Sequence, residues 1–271
     1  MERRWLVYPY HLWMLIFTVI PLALIFFFAF TEPSTYSFTF ENIKRAAEPV
    51  YLQVLGHSVW LAAVSTFLCF LIGYPMAMIL VSSRVKYRNM MVMLVIIPMW
   101  MNFLLRTYAW MTLLEKNGLI NAIVKFFGGA TVQFLYTDGA VLLGMVYNFL
   151  PFMILPIYSV LMKMDKSLVE AAEDLGADAF TTFRRVTFPL SLPGVYAGML
   201  MVFMPAVTTF VISRLLGGGQ YMLIGNVIEQ QFLAIGNWGF GSALSVLMMV
   251  LIMISMAFLS RYNKAGGGMY L

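Results

Sequence analysis

The sequence predicts an all-α integral membrane protein with six transmembrane helices, both termini in the cytoplasm, and a cytoplasmic two-helix loop between spans 4 and 5. Three observations carry this prediction. Of 271 residues, 62% are hydrophobic and 11% charged, too apolar a balance for a water-soluble domain of this length. The apolar residues gather into six runs near the ~20 residues that a bilayer crossing needs. The basic residues divide unevenly between the connecting segments, as orientation in a membrane requires.

Taken in order, Arg3 and Arg4 precede the first run, Leu12 to Phe30, which Pro21 is expected to kink. The run is longer than a signal-peptide core and no A-x-A-like site precedes Glu32, so it reads as a retained span. A mixed-charge loop, Thr31 to Gly56, leads to a second span over 58–81. The loop Ser82 to Asn89 holds Arg84, Lys86 and Arg88, a cytoplasmic marker. The third span, 90–114, contains Pro98 and the one charge within any span, Arg106. At the helical rise Arg106 lies about 24 Å from Met90, near the far interface, where its guanidinium can snorkel.

Leu119 to Phe127 is too short to cross and is amphipathic. A fourth span covers 140–162, with Pro151 and Pro156, a fifth 194–213 and a sixth 240–260. Between the last two, Arg214 to Asn237 carries Gly217, Gly218 and Gly219 and a short helix around Leu223 to Phe232. Residues 1–264 read as one transmembrane domain, and 265–271 as a natural tail or a cloning remnant. Eleven Lys and Arg residues fall on the side of the termini and five on the other, which places both termini inside.

Several function classes are excluded. The basic residues are scattered through short loops, so nucleic acid is no partner. The lone Cys69 forms no internal disulfide, and the 23 Met residues read as gap filling between helices. An ion-coupled secondary transporter places Asp, Glu or His inside its spans; the six spans hold no acid, and His11 and His57 sit at span ends. An intramembrane enzyme needs a nucleophile, acid pair or metal ligands, and no such set is visible.

The segment 163–193 is the polar exception. Ser167 with Glu170 three residues on reads as a capping box, Gly176 as a left-handed stop, and Asp178 as the cap of a second helix ended by Pro189 and interrupted further at Pro193. Leu168, Ala171, Ala172 and Leu175 form a small apolar face beside Glu173 and Asp174. Connecting two spans needs only a few residues, so a loop of about thirty with its own caps reads as a docking element.

Glu170, Ala171, Ala172, three residues, Gly176, nine residues, then Val186, Thr187, Phe188, Pro189 resembles the EAA loop of ABC importer permeases, with Val186 and Phe188 for the usual Ile and Leu. The resemblance implies that Glu170, Ala171, Ala172, Leu175 and Gly176 couple the chain to a separate ATPase dimer. The chain has no G-x-x-x-x-G-K-[ST], so ATP and Mg2+ belong to that partner and no cofactor is expected here. It further implies an extracytoplasmic solute-binding protein and a second permease subunit, identical or distinct, in a bacterial inner membrane.

From about Tyr51 to Leu259 the chain resembles the permeases of spermidine/putrescine importers. The resemblance rests on Gly73 to Ala77, Pro98 to Trp110, Tyr147 to Tyr158, Gly217 to Ile228 and Asn237 to Gly241. Related branches carry ferric iron, thiamine or phosphonates and stay open as alternatives. A flexible polycation is met by aromatic faces and carboxylates. The candidate pathway residues are accordingly Asn102, Arg106, Tyr108, Trp110, Glu115, Asp138, Tyr147, Asn148, Glu229 and Trp238, with Tyr136 beside them. An ordinary interfacial aromatic belt also accounts for the aromatic members. Asn102, Arg106 and Trp110 recur every four residues, one stripe of a helical third span. Arg106 would repel a polycation and is expected to hold a carboxylate or backbone carbonyls.

Overall fold

Proline placement decides the helix plan. The structure, a computed structural model, describes residues 8–32, 37–219 and 222–266, and side chains as far as 257. Helix α1, Tyr8–Ala29, starts four residues ahead of the predicted span. It widens into a π turn over Leu15–Val19, just before Pro21. Such a turn makes room for a ring that would otherwise strike the preceding carbonyl, so the proline is absorbed within one helix. The arginines at positions 3 and 4 lie outside the described residues.

After a short helix α2, Glu41–Ala46, helix α3 runs from Pro49 to Ser82. The predicted loop to Gly56 is therefore wrong over its last eight residues. Pro49 opens the helix behind an extended Glu48, the one place where proline's missing N–H costs nothing. His57 accordingly sits two turns inside this helix.

The third span is not one helix. Helix α4, Val85–Trp100, and helix α5, Phe103–Leu114, break at Met101 and Asn102, and α4 is bent 92° from the α5–α6 segment 103–126. Asn102 causes the restart: its Oδ1 accepts from the N–H groups of Leu104 and Leu105, at 2.8 and 3.4 Å. It is a cap outside the helix, so the predicted stripe through Asn102, Arg106 and Trp110 does not exist. Helix α6, Leu119–Phe126, matches the predicted short element.

Helix α7, Asp138–Lys163, passes through Pro151 and Pro156 and leads into α8, Ser167–Asp174. Helix α9 then runs unbroken from Ala179 to Thr208. Pro189 and Pro193 were expected to end the second loop helix before a span from 194. Instead a π turn over Phe183–Thr187 accommodates Pro189, and the loop helix and the fifth span are one element. That span stops at Thr209, short of the predicted Ser213. Helix α10, Val211–Leu216, and helix α11, Ile224–Gln230, follow, the latter widening over Gln231–Ile235. Helix α12, Trp238–Gly266, extends two residues into the predicted tail; 267–271 lie outside the described residues.

Among the described residues five helices are long and apolar enough to cross a membrane, and the bent α4–α5–α6 segment makes a sixth if counted as one span. The core sits where α3, α7 and α9 meet, around Met145, Met153, Ile154, Ile157 and Val202. Small residues bring these helices together: a Cβ on Gly194 would lie 2.9 Å from the Pro156 carbonyl oxygen. A second cluster around Ala29, Ile224, Phe240 and Leu244 joins α1 and α11 to α12. Helix α4 fully buries no residue, but Met91, Val92 and Val95 are half-buried against the α3–α7–α9 core.

Candidate functional site

The coupling loop is built by three caps, one of which differs from expectation. Ser167 forms no capping box with Glu170; it is already helical, and Asp165 Oδ1 accepts from its N–H at 3.0 Å. The Asp two positions upstream reaches the free N–H first, so the cap shifts by one turn position. Hydrogen bonds from the Ser167 backbone and side chain hold the Asp165 carboxyl below its ordinary value. At the other end Gly176 takes φ +84°. The N–H of Ala177 donates to Ala172 and that of Gly176 to Glu173, satisfying the last carbonyls. Asp178 caps the next helix through Thr181 N at 3.3 Å, and its bonds to Thr181 likewise lower its pKa.

The resulting element turns its apolar side chains outward. Leu175 is 90% exposed, Phe180 68% and Leu168 47%, while Ala171 and Glu170 are also exposed. Leu168 and Leu175, seven residues apart, share one side of the turn. Nothing among the described residues covers them.

A second constellation lies at the opposite end of α7, whose 26 residues separate it from the coupling loop. Glu115 ends α5 and Tyr136 precedes α7; both line a cavity of about 410 Å3 with Lys116, Asn117 and Gln133. Its two walls are tied by Asn121, which is fully buried. The Asn121 amide donates to the carbonyls of Glu115 and Val132 at 3.1 and 2.9 Å, and its oxygen accepts from Val132 N at 3.0 Å. Tyr136 has φ +66°, a left-handed conformation costing about 1–2 kcal/mol in a side-chain-bearing residue. Its N–H bonds to the Leu216 carbonyl at 2.8 Å. Sequence reasoning passed over Asn121 and Gln133; an Asn on the inward register of an amphipathic helix was the available signal.

The other candidate residues are dispersed. Trp110 meets Tyr147 edge to face at 5.4 Å, seating α5 on α7. Tyr108 is 46% exposed. Asp138 pairs with His57, Oδ1 to Nε2 at 3.3 Å, a contact between α3 and α7 that the sequence did not show. Asn148 is buried and donates to the Gly144 carbonyl, leaving its Oδ1 without a hydrogen bond. Glu229 is ion-paired with Arg214, and Trp238 packs on Phe28 and Phe232; neither lines the Glu115 cavity.

Arg106 contradicts its expectation. Among the described residues no carboxylate pairs with it: it is 8% exposed, and its Nε and Nη1 have no hydrogen-bond partner. The bend at Met101 and Asn102 removes the straight helix on which its predicted depth rested.

Residues 70–265 match the family model described as binding-protein-dependent transport system inner membrane component. The spermidine/putrescine transport system permease protein PotB of Haemophilus influenzae is 40% identical over 259 residues, covering 93% of this chain and 91% of that one. The Escherichia coli protein of the same name is 38% identical over 247 residues, covering 89% and 90%. A chain in the crystal structure of a bacterial ABC transporter that imports the acidic polysaccharide alginate superposes with a TM-score of 0.82 at 18% identity, covering 97% and 96%. That likeness concerns the fold.

Proposed function

Because the chain belongs to the family of binding-protein-dependent transport inner membrane components, and is thereby a permease subunit of an ABC importer, we propose that its cargo is polyamine, spermidine and putrescine. The observation that supports the cargo is identity of 38% and 40% along nearly whole chains to relatives named for those solutes.

On this reading residues 1–264 form one permease domain in a bacterial inner membrane, with both termini cytoplasmic. The segment around Glu170, Ala171, Ala172, Leu175 and Gly176 docks on an ATPase dimer, which binds ATP and Mg2+. The exposed Leu168, Leu175 and Phe180 supply the apolar contact for that docking. Because α9 is continuous from Ala179 through Thr208, a displacement passed across the Gly176 turn is carried directly into the fifth span. A solute-binding protein delivers substrate at the opposite end, and a second, similar permease completes the pathway.

The test is uptake of radiolabelled spermidine and putrescine in proteoliposomes holding the whole transporter. Uptake that survives loss of the ATPase would overturn the importer reading; uptake of neither polyamine would overturn the cargo. Glu170→Arg and Gly176→Pro should each abolish ATPase co-purification while leaving membrane insertion intact.

A further inference from the structure

The cavity at the Asn121-tied mouth has a chemistry of its own. It is lined by Glu115, Asn117, Gln133 and Tyr136, with Lys116 as its one cation. A primary ammonium group has three donors and no acceptor, so it is satisfied by carboxylate and amide oxygens and attracted to an aromatic face. The cavity is also held open rather than left to side-chain chance. Asn121 fixes the backbone behind Glu115 to the opposite wall at Val132, and Tyr136 is kept in a left-handed conformation against Gly218. Backbone held in a sparsely populated region is found where a site must keep its shape.

We infer that this cavity is an entry subsite for one terminal ammonium group of the substrate, at the end of the molecule remote from the coupling loop. The inference rests on the polyamine reading. Glu115 and Lys116 act in opposite directions: the carboxylate attracts the arriving cation and the lysine weakens its hold, so the group is retained briefly and released onward. All five polar side chains are solvent-accessible, which leaves the carboxylate's attraction partly screened. The subsite therefore tunes the rate of entry.

The experiment uses the assembled transporter in proteoliposomes at saturating, polyamine-loaded binding protein. Glu115→Gln should lower spermidine uptake about 2- to 5-fold and Lys116→Gln should raise it, the range expected for one exposed charge. Both side chains are exposed, and Asn121 bonds the Glu115 backbone carbonyl and not its side chain, so the Glu115 change leaves that tie intact. A structural role would not give effects of opposite sign. As a second readout, Gln133→Cys introduces a thiol into a chain whose own Cys69 is buried. Spermidine should slow its modification by a cationic methanethiosulfonate, and mannitol should not. If the wild type carries spermidine while both charge variants match it and the thiol is unprotected, the subsite is overturned alone. If the wild type carries no polyamine, the cargo reading falls, and the subsite with it.

Discussion

Gly218 lies so close to Tyr136 that a Cβ added to it would sit 2.2 Å from the ring's Cδ1. Both residues have positive φ, +62° and +66°, so the loop after α10 and the segment before α7 hold each other in left-handed backbone. Tyr136 in turn lines the mouth cavity.

Gly218→Ala should therefore disrupt the mouth specifically. The new methyl meets a ring and takes a conformation that costs an alanine about 1–2 kcal/mol. Uptake should fall while ATPase co-purification persists, because the coupling loop lies at the other end of α7. A Tyr136→Ala, Gly218→Ala double variant should recover part of the loss, since the collision is with the ring.

Removing either half of the hydroxyl pair between α3 and α9 should have unequal effects. Tyr74 Oη and Ser191 Oγ lie 2.8 Å apart, and the serine also donates to the Phe188 carbonyl at 2.8 Å. Tyr74→Phe leaves the serine satisfied and should cost about 1 kcal/mol. Ser191→Ala leaves a buried phenol hydroxyl without its acceptor and should cost about 1–3 kcal/mol. Thermal unfolding in detergent should rank the two variants in that order.

Two helical glycines should respond to alanine with opposite signs. A Cβ on Gly56 meets nothing within 4 Å, so Gly56→Ala should stabilise α3 by about 0.5–1 kcal/mol. A Cβ on Gly194 meets the backbone of Pro156 and Ile157 at 2.9 and 3.0 Å, and backbone yields little. Gly194→Ala should destabilise by about 1–3 kcal/mol. Midpoints of thermal unfolding would check both.

The coupling loop should loosen in acid. Asp165 and Asp178 have folded pKa values below their ordinary ones, so each stabilises its cap fully above the unfolded value, about 3.9. That contribution disappears as pH falls through the lower folded value. Amide exchange at Ser167 and Thr181 should accelerate in that range. Asp178→Asn should retain the cap at Thr181 but lose its pH dependence, whereas Asp178→Ala should lose both.

Along the chain, apolar run length located the first, second, fourth and sixth membrane helices, because burying twenty consecutive apolar residues in a bilayer needs no knowledge of neighbours. Gly176 and Asp178 were readable as caps for a similar reason: a left-handed glycine and an Asp reaching a free N–H are local events. The same local reading failed at Ser167, where Asp165 competes for the same N–H, and at Pro189, where a π turn admits the ring. It failed also at Asn102, whose side chain ends one helix and starts another at a sharp bend.

The sequence by itself determined that this is a multi-helix membrane protein with a capped polar loop, since composition, run length and capping chemistry all act within a few residues. Only the tertiary structure decided that the loop's second helix continues into the fifth span, that Arg106 is enclosed, and that Glu115 and Gln133 face one cavity. The physical reason is sequence separation. Asn121 joins backbone segments 6 and 11 residues away, and Tyr136 is fixed by Leu216 and Gly218 about eighty residues on. Pairings of that kind are set by how helices pack, and no periodicity in the chain records them.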